Sequence, residues 1–548
     1  MEKLLFEDIK KQIETGFTNQ GWVMVFSFGH NFKNIQQGGV YSALVSNDKV
    51  KDALQNYSWE LRYGSGRPGF VSHYKDDKEI TEYYRFSENG FEPIIYYREE
   101  FGKYDNYLEL SEEFRLYHNL YEDFITHENK KYIYIDDNGD EDIVAKIGKN
   151  EAFIKLKYLK DFISARQMHC LIFFDFMRFS KKTISELNLE EINKNFSSNK
   201  YFYNHIITDI SDRHIRDDKT QSWIMGKALI ENIKNYKPNI WGAIEERNIY
   251  AEFIIGYDEN GNEKYFTCDE DKLGNYFGKN PDSPLYVTPV FFRKEVLKKY
   301  YDNPTKYSVD DGYISCHNIW SLRLDNNNKE YVIVLLGDLG KLHYKEQLYW
   351  KSYNIPPKEE GFSYTAYKRF FAGEPSNPES LDLYLKMRLC QFNEAWIKKY
   401  GWYLFKPLSK EDYHYLKSLH LLTSNDNDKE FDEQILSLTK IFIDSLNEKE
   451  LVKGISMSKD NPKGIDKLES FLENKNLKVP EMIEFIRNVQ ALRSSTVAHR
   501  RNIKRKDTKK VMGYFKFDEK SISEVLEDIF GNFIKTLNTL ENHLIKNT

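Results

Sequence analysis

The sequence has few cysteines, and none of them are arranged in a pair. The four are Cys170, Cys268, Cys316 and Cys390. Because no CxxC spacing occurs, a disulfide framework and a structural zinc site are both disfavoured, and a reducing compartment is indicated. Zinc stays open as an alternative only because His169 precedes Cys170 and His317 follows Cys316. No metal and no cofactor are predicted.

Long hydrophobic runs are also absent. None approaches the ~20 apolar residues that a membrane-spanning helix needs. The longest, "EYVIVLLGDLG" from Glu330, is interrupted by Gly337 and Asp338 and is typical of a buried strand. The first residues, "MEKLLFEDIKKQIETGF", lack the apolar core of a signal peptide. These features predict a soluble cytoplasmic protein without a membrane partner.

Several common enzyme motifs are missing as well. The sequence contains no phosphate-binding P-loop, no GxSxG elbow, no HExxH and no kinase motif. The net charge of −6 argues against nucleic-acid binding by the whole surface. Any contact with phosphate must therefore come from a local basic patch.

A chain of 548 residues is too long for one ordinary core, so several domains are expected. The pattern predicts an α+β protein, with a large, mixed α/β, strand-rich region at residues 1–422 and an all-α bundle at 423–548. A division of the first region into two subdomains near residue 195 is an open alternative, and the apolar-free stretch "TSNDNDKE" at 423–430 is the predicted linker. Tight turns are predicted at Asn138-Gly139 and Asn260-Gly261. The helical periodicity and many apolar residues at 151–190 predict a central buried helix.

Four helices are predicted after the linker. They span about 430–449, 463–474, 480–495 and 521–545. Pro480 suits the first turn of the third helix, where its missing N–H costs nothing. At about 100° per residue, Arg493 falls near the centre of that helix's apolar stripe. An unpaired guanidinium is costly to bury, so this arginine must find a partner, reach solvent or face an anion.

Weak helix formers follow the arginine, from Ser494 to Val497, and predict that the helix loosens before His499. On an unbroken helix, six positions separate two side chains by roughly 120°. A break in the helix, or a second subunit, is needed to bring Arg493 and His499 to one phosphate. A histidine can move protons, and an arginine offers several donors to a phosphate.

A basic run, "RRNIKRKDTKK", begins directly after His499. It holds seven basic residues and one acid in eleven. The simplest interpretation is a solvated loop. Next to an arginine and a histidine, the run also suits a polyanion backbone, and its candidate RNA-binding residues are Arg500, Arg501, Lys504, Arg505 and Lys506.

The stretch "LRSSTVAHR" resembles the Arg-x(4–6)-His motif of HEPN domains, and its place between a third and a last long helix also suits that family. The resemblance implies a metal-independent endoribonuclease, in which the RNA 2′-hydroxyl attacks the adjacent phosphate and leaves a 2′,3′-cyclic phosphate. It implies that His499 is the general acid/base and Arg493 the phosphate clamp. Ser494 would orient one of them or contact the RNA backbone. It also implies a homodimer, since the family usually builds its site from two copies of the motif.

The arrangement of a large aromatic-rich region before the HEPN-like segment is similar to ApeA-type anti-phage proteins. This resemblance implies a sensor that responds to a phage or host protein and restrains the nuclease until infection or stress. The alternative is a non-catalytic helical module for dimerisation or RNA binding, with an N-terminal region that binds a protein.

Two further groups of polar residues are weaker candidates. "HIITDISDRHIRDD" places acids around His214, with His205 nearby, and metal ligation there is less expected than a solvated loop. Asp338, Lys341 and His343 follow a predicted strand, where active-site loops often lie.

Overall fold

The computed structural model describes residues 2–28, 37–55, 68–85, 91–126, 129–210, 218–233, 249–424, 427–455, 461–496 and 506–546. Helices make up 36% and strands 31%, with a strand-rich region before a helical one, which confirms the α+β class. Two compact units are present. The first holds residues 1–136 and 140–247, and the second holds 137–139 and 248–548. Among the described residues, no helix is long and apolar enough to cross a membrane.

The first unit contains sixteen strands and four α-helices within its described residues. The strands are β1 (Thr18–Asn19), β2 (Trp22–Phe28), β3 (Gln37–Ser46), β4 (Gly69–Lys75), β5 (Lys78–Tyr84), β6 (Glu92–Pro93), β7 (Ile95–Arg98), β8 (Tyr107–Leu110), β9 (Tyr121–Thr126), β10 (Asn129–Ile135), β11 (Glu141–Ile147), β12 (Glu151–Lys155), β13 (Met168–Ser180), β14 (Ile192–Ser197), β15 (Tyr201–Asp209) and β16 (Thr220–Ile230). The helices are α1 (Glu7–Glu14), α2 (Val50–Leu54), α3 (Glu112–Tyr117) and α4 (Leu156–Ala165).

Most of these strands form one twelve-stranded sheet. Its order is β14-β15-β16-β13-β3-β2-β12-β11-β10-β9, with β1 beside β2 and β6 beside β3. Neighbouring strands along this order are antiparallel. In the central strand β13, Cys170 lies opposite Ile230 of β16 on one side and opposite Leu44 of β3 on the other. Apolar residues of α1 and α4 share one buried core with the sheet. The hairpins β4–β5 and β7–β8 are separate two-stranded sheets.

The predicted central helix at 151–190 is wrong for most of its length. Only α4 and the short 3-10 helix Ser185–Leu187 are helical there, and α4 lies between β12 and the thirteen-residue strand β13. The strand is rich in phenylalanine and is paired along both edges, and most of its side chains are buried. A continuous apolar run of this kind suits a central strand as well as a buried helix, so periodicity alone misassigned it.

The second unit contains eight strands and twelve α-helices within its described residues. The strands are β17 (Glu252–Tyr257), β18 (Glu263–Thr267), β19 (Pro289–Arg293), β20 (Tyr307–Asp310), β21 (Tyr313–Cys316), β22 (Trp320–Asp325), β23 (Tyr331–Leu335) and β24 (Asn354–Ile355). The helices are α5 (Lys298–Tyr301), α6 (Leu336–Leu339), α7 (Tyr344–Lys351), α8 (Tyr364–Tyr367), α9 (Leu381–Tyr400), α10 (His414–Lys417), α11 (Asp428–Thr439), α12 (Glu448–Leu451), α13 (Gly464–Asn474), α14 (Pro480–Thr496), α15 (Lys506–Tyr514) and α16 (Ile522–Glu541).

The strands of this unit form a six-stranded sheet and a hairpin. The sheet order is β20-β21-β22-β23-β19-β24, and the hairpin β17–β18 confirms the turn predicted at Asn260-Gly261. Gly261 has a φ of +80°, which a glycine adopts without strain. The buried run predicted from Glu330 is a strand over β23 and then turns into α6.

The helical core of the second unit begins before the predicted boundary. Leu385 and Trp396 of α9 belong to the same buried cluster as residues of α11, α13, α14 and α16. The two compact units divide at 247/248, away from both residue 195 and residue 423. Whether residues 195 and 423 separate regions of different function stays a prediction.

The predicted linker at 423–430 has buried ends. Thr423 and Glu430 are 6% and 1% exposed, and the Thr423 hydroxyl donates to Glu430 Oε1 at 2.9 Å. Asn427 accepts from the Glu430 N–H at 3.2 Å and so caps α11. Thr423, Asn427 and Glu430 therefore form a hydrogen-bonded cap at the N-terminus of α11.

Candidate functional site

Helix α14 carries the described part of the predicted site. Pro480 is its first residue and Glu481 lies in its first turn, as predicted for the positive end of a helix. Ile486, Val489 and Leu492 are each no more than 4% exposed and hold the helix in the bundle core. Arg493 follows directly, so the burial of this stripe fixes where the arginine's backbone lies.

The Arg493 side chain pairs with a carboxylate on another part of the bundle. Its Nη1 lies 3.1 Å from Oδ2 and 3.4 Å from Oδ1 of Asp444, and the arginine side chain is 31% exposed. Asp444 ends the π-helical segment Lys440–Asp444 that follows α11. Of the three outcomes predicted for this arginine, the structure shows a partner together with partial exposure to solvent.

A second cation lies beside the same carboxylate. Lys440 Nζ is 3.5 Å from Asp444 Oδ2, and the two side chains are 29% and 34% exposed. The three groups carry two positive charges and one negative charge, so the surface there has an excess of positive charge. Within the described residues, the Arg493 guanidinium makes no hydrogen bond other than those to Asp444. Within the described part of the chain, its remaining N–H groups have no acceptor, and an arginine offers such groups to an anion.

Ser494 lies on the exposed side of the same helix. Its hydroxyl donates to the Gln490 carbonyl oxygen at 3.1 Å, a common bond of a helical serine. The helix continues to Thr496, so the prediction that it loosens directly after Arg493 is wrong for residues 494–496.

Most of the other predicted site residues lie outside the described residues. These are His499, Arg500, Arg501, Lys504 and Arg505. Lys506 is the first residue of α15, a helix that the sequence pattern did not predict. Lys509 and Lys510 follow on α15 and are exposed. The basic run therefore ends on a helix, while the approach of His499 to Arg493 stays a prediction.

Asp444 and Lys440 were not predicted as site residues. Asp444 interrupts the apolar stretch "IFIDSL" in the first helix predicted after the linker, and Lys440 lies four positions before it. An acid inside an apolar run, one helical turn from a lysine, is the pattern that could have identified them. The sequence alone does not show that Asp444 and Lys440 lie near Arg493, because Arg493 is 49 positions from Asp444.

His205, one of the two histidines in the weaker metal candidate, is a core residue. It is 1% exposed, and its Nε2 lies 3.1 Å from Ser222 Oγ, which donates to the Leu4 carbonyl at 2.6 Å. Burial, together with the charge of Lys10, lowers the pKa of His205 to about 4. His214 lies outside the described residues. Within the described part of the chain, no group of three or more His, Cys, Asp or Glu side chains could hold a metal ion.

Asp338, in the other weak candidate, is held by several donors. It is 6% exposed and accepts from the Tyr286 hydroxyl at 2.7 Å, from Lys341 Nζ at 3.0 Å and from Arg323 Nη2 at 3.3 Å. His343 does not join this group, because its Nδ1 accepts from the Lys345 N–H and caps α7. With its partners in place, Asp338 has the environment of a structural carboxylate.

Comparison of the chain with protein-family models, with curated proteins and with solved structures gives no match.

Proposed function

We propose that the second unit contains a metal-independent endoribonuclease site of the HEPN type, centred on Arg493 and His499, in a cytoplasmic defence protein. The observation that carries the proposal is the position of Arg493. It ends a buried stripe, yet its guanidinium is partly exposed and keeps N–H groups free of other described residues. Three lysines add to the attraction for a polyanion: Lys440 beside Asp444, and the exposed Lys509 and Lys510 on α15.

In the proposed reaction, the RNA 2′-oxygen forms a bond to the neighbouring phosphorus while the bond from phosphorus to the 5′-oxygen breaks. A base takes the proton from the 2′-hydroxyl, and an acid gives a proton to the leaving 5′-oxygen. His499 acts in this proton transfer. Arg493 stabilises the charge that grows on the phosphate oxygens, and Ser494 contacts the backbone or orients one of the two. The products are a 2′,3′-cyclic phosphate and a 5′-hydroxyl.

Helical geometry supports a dimeric site. The helix is unbroken to Thr496, so the turn after Arg493 does not by itself direct His499 toward the arginine. A second copy of the chain would supply the other half of the site. The first unit would act as the sensor that responds to a phage or host protein and restrains cleavage.

The non-catalytic alternative also has an observation in its favour. The ion pair between Arg493 and Asp444 is one that a structural arginine would make. In this alternative the bundle binds RNA or forms a dimer, and no bond is broken.

Purified full-length protein on a labelled RNA distinguishes the two functions. We expect cleavage in the presence of EDTA, and a loss of at least roughly a hundredfold in Arg493→Ala, because the removed charge acts on the transition state. Arg487→Ala is the matched control, since Arg487 lies on the same helix but pairs with Asp466 and Glu469. Equal rates for the two variants, or cleavage that EDTA abolishes, would exclude the proposed mechanism.

A further inference from the structure

The first unit contains an open cleft of about 630 Å³ that the nuclease proposal does not use. Its walls come from β6, the β7–β8 hairpin, α3 and the end of α4. A cleft of this size is typical of a ligand site. Because it lies within one compact unit, its shape depends on that unit alone.

The floor of the cleft is apolar and its walls are charged. Leu44, Ile94 and Leu110 are at most 2% exposed and form the floor, whereas Leu116 at the rim is 72% exposed. Apolar surface at both floor and rim favours a ligand with an apolar side chain.

The charged lining has four carboxylates and three guanidinium groups. The carboxylates are Glu92, Glu109, Glu112 and Glu113, and the guanidinium groups are Arg85, Arg98 and Arg166. Arg166 holds Glu92 through both nitrogens and also reaches Glu113 at 3.2 Å. Glu109 has only a loose pair with Arg98, at 3.5 Å between half-exposed side chains. The described residues of the lining therefore carry one negative charge in excess.

The exposed Glu112 carboxylate and the Tyr96 hydroxyl both line the cleft. Neither has a hydrogen-bond partner among the described residues. Tyr96 lies directly opposite Glu109 in the β7–β8 pair, so the two side chains share a face. Burial, and then the charge of Glu92, raise the pKa of Tyr96 to about 12, so its phenol remains a neutral donor. The described lining thus offers a neutral donor at Tyr96, beside the loosely paired Glu109 carboxylate, and a second carboxylate at Glu112.

We propose that this cleft binds a peptide segment of another protein in which a lysine or arginine lies next to an apolar side chain. The basic group pairs with Glu112 and Glu109, the apolar side chain packs on the floor beside Leu116, and a peptide carbonyl accepts from Tyr96. An anionic ligand is disfavoured because two of the three guanidinium groups in the described lining already face carboxylates: Arg166 holds Glu92 and Glu113, and Arg98 lies 3.5 Å from Glu109. This inference does not depend on the nuclease proposal.

The β4–β5 hairpin extends the proposed surface. Pro68 and Arg85, which flank the hairpin, both line the cleft. The hairpin pairs with no other described strand, and its Phe70, Tyr74 and Tyr83 are at least 70% exposed. An isolated hairpin is only marginally stable in water, and exposed aromatic side chains of this kind are common in protein-binding surfaces.

Fluorescence anisotropy on the full-length chain tests the proposal. The probe is a fluorescein-labelled peptide, Ser-Gly-Leu-Lys-Leu-Lys-Gly-Ser, compared with the same peptide in which both lysines are replaced by glutamate. We expect the lysine peptide to bind and the glutamate peptide to bind at least roughly tenfold more weakly. If the lysine peptide does not bind, or if the two bind equally, the proposal is overturned.

Two variants locate the binding. Glu112→Lys should weaken binding of the lysine peptide by roughly tenfold, and Tyr96→Phe should weaken it by about threefold. Glu141→Lys makes the same charge change at an exposed position outside the cleft and should leave binding unchanged. Equal weakening by Glu112→Lys and Glu141→Lys would show a general charge effect and would overturn the assignment to the cleft.

Discussion

Asp444 neutralises one of the two cations, Lys440 and Arg493, that lie beside it. Replacing it by asparagine removes one negative charge while preserving the size of the side chain. We expect Asp444→Asn to bind single-stranded RNA about two- to threefold more tightly at low salt, because the local positive excess increases. Thermal stability should change little, since half-exposed ion pairs contribute only about 0–1 kcal/mol.

Filter binding of labelled RNA across a salt series measures this effect. Glu448→Gln is the matched control, because it removes the same charge from an exposed pair with Lys467 elsewhere in the bundle. If Asp444→Asn and Glu448→Gln change RNA affinity equally, Arg493 is not a specific contact for RNA.

His205 makes the stability of the first unit depend on pH. Because burial and Lys10 lower its pKa to about 4, the unfolded chain takes up the proton more readily than the folded one. The free energy of unfolding is therefore greatest above about pH 6.5 and decreases, by up to about 3 kcal/mol, as the pH falls toward 4. In His205→Gln, the melting temperature should decrease less between pH 7 and pH 4.5 than in the wild type.

The exposed His73 in the same unit provides the control. His73→Gln should retain the pH dependence of the wild type, as followed by circular dichroism during heating. A His205→Gln variant with the wild-type dependence would show that another group controls it.

At the scale of residues, sequence reasoning predicted the need of Arg493 for a partner but not the partner itself. The apolar stripe of α14 follows from helical periodicity, which is local, so the position of the arginine could be predicted. Asp444 lies 49 positions earlier, and its approach depends on how α11 and α14 pack. Such packing between distant segments is not encoded in any one window of sequence.

The N-terminus of α11 depends on a buried carboxylate. Glu430 accepts from the Thr423 N–H at 2.8 Å, from His420 Nε2 at 2.9 Å and from Asn427 Nδ2 at 3.0 Å. Glu430→Ala leaves these donors without a partner, so we expect a loss of about 3 kcal/mol in the free energy of unfolding. Urea denaturation followed by circular dichroism measures it.

Glu433→Ala on the same helix is the comparison for this loss. Glu433 is half exposed and has only a 3.5 Å pair with Lys429, so its removal should cost less than about 0.5 kcal/mol. Similar losses in the two variants would mean that the cap of α11 contributes little to stability.

The basic run before and at the start of α15 should contribute to RNA binding through charge. In Lys504→Ala/Arg505→Ala/Lys506→Ala, the slope of log affinity against log salt should decrease by about two, as expected for three lost contacts with a single strand. Binding at low salt should weaken for every RNA sequence alike. An unchanged salt slope, measured by filter binding, would remove these three residues from the RNA-binding surface.

At the scale of elements, regular amphipathic helices were predicted well. The bounds of α13 and α14 lie within one residue of their predictions, because Pro480 and the apolar stripes define them. The assignment at 151–190 failed because residues 170–174 of β13 are all buried, on both faces of the strand, and so show no alternation of apolar and polar residues. The helix α15 was missed because its first five residues, Lys506 to Lys510, include three lysines and one aspartate and no apolar residue, a pattern typical of a solvated loop.

At the scale of the whole molecule, composition predicted the α+β class but not the division of the chain. The sharpest change in composition, at 423–430, lies inside the second compact unit, because α9 packs into the same core as the helices after it. Contacts between distant segments determine such a division. The proposed functions follow the observed units: the cleft lies in the first, and Arg493 lies in the second.

The ends of RNA from cells that express the protein test the central claim most directly. With the wild type, sequencing that distinguishes end chemistry should find new 2′,3′-cyclic phosphate and 5′-hydroxyl ends. His499→Ala should produce none, while His543→Ala, a change at an exposed histidine of the same bundle, should produce as many as the wild type. If His499→Ala yields the same ends at the same frequency as the wild type, the ribonuclease assignment is wrong.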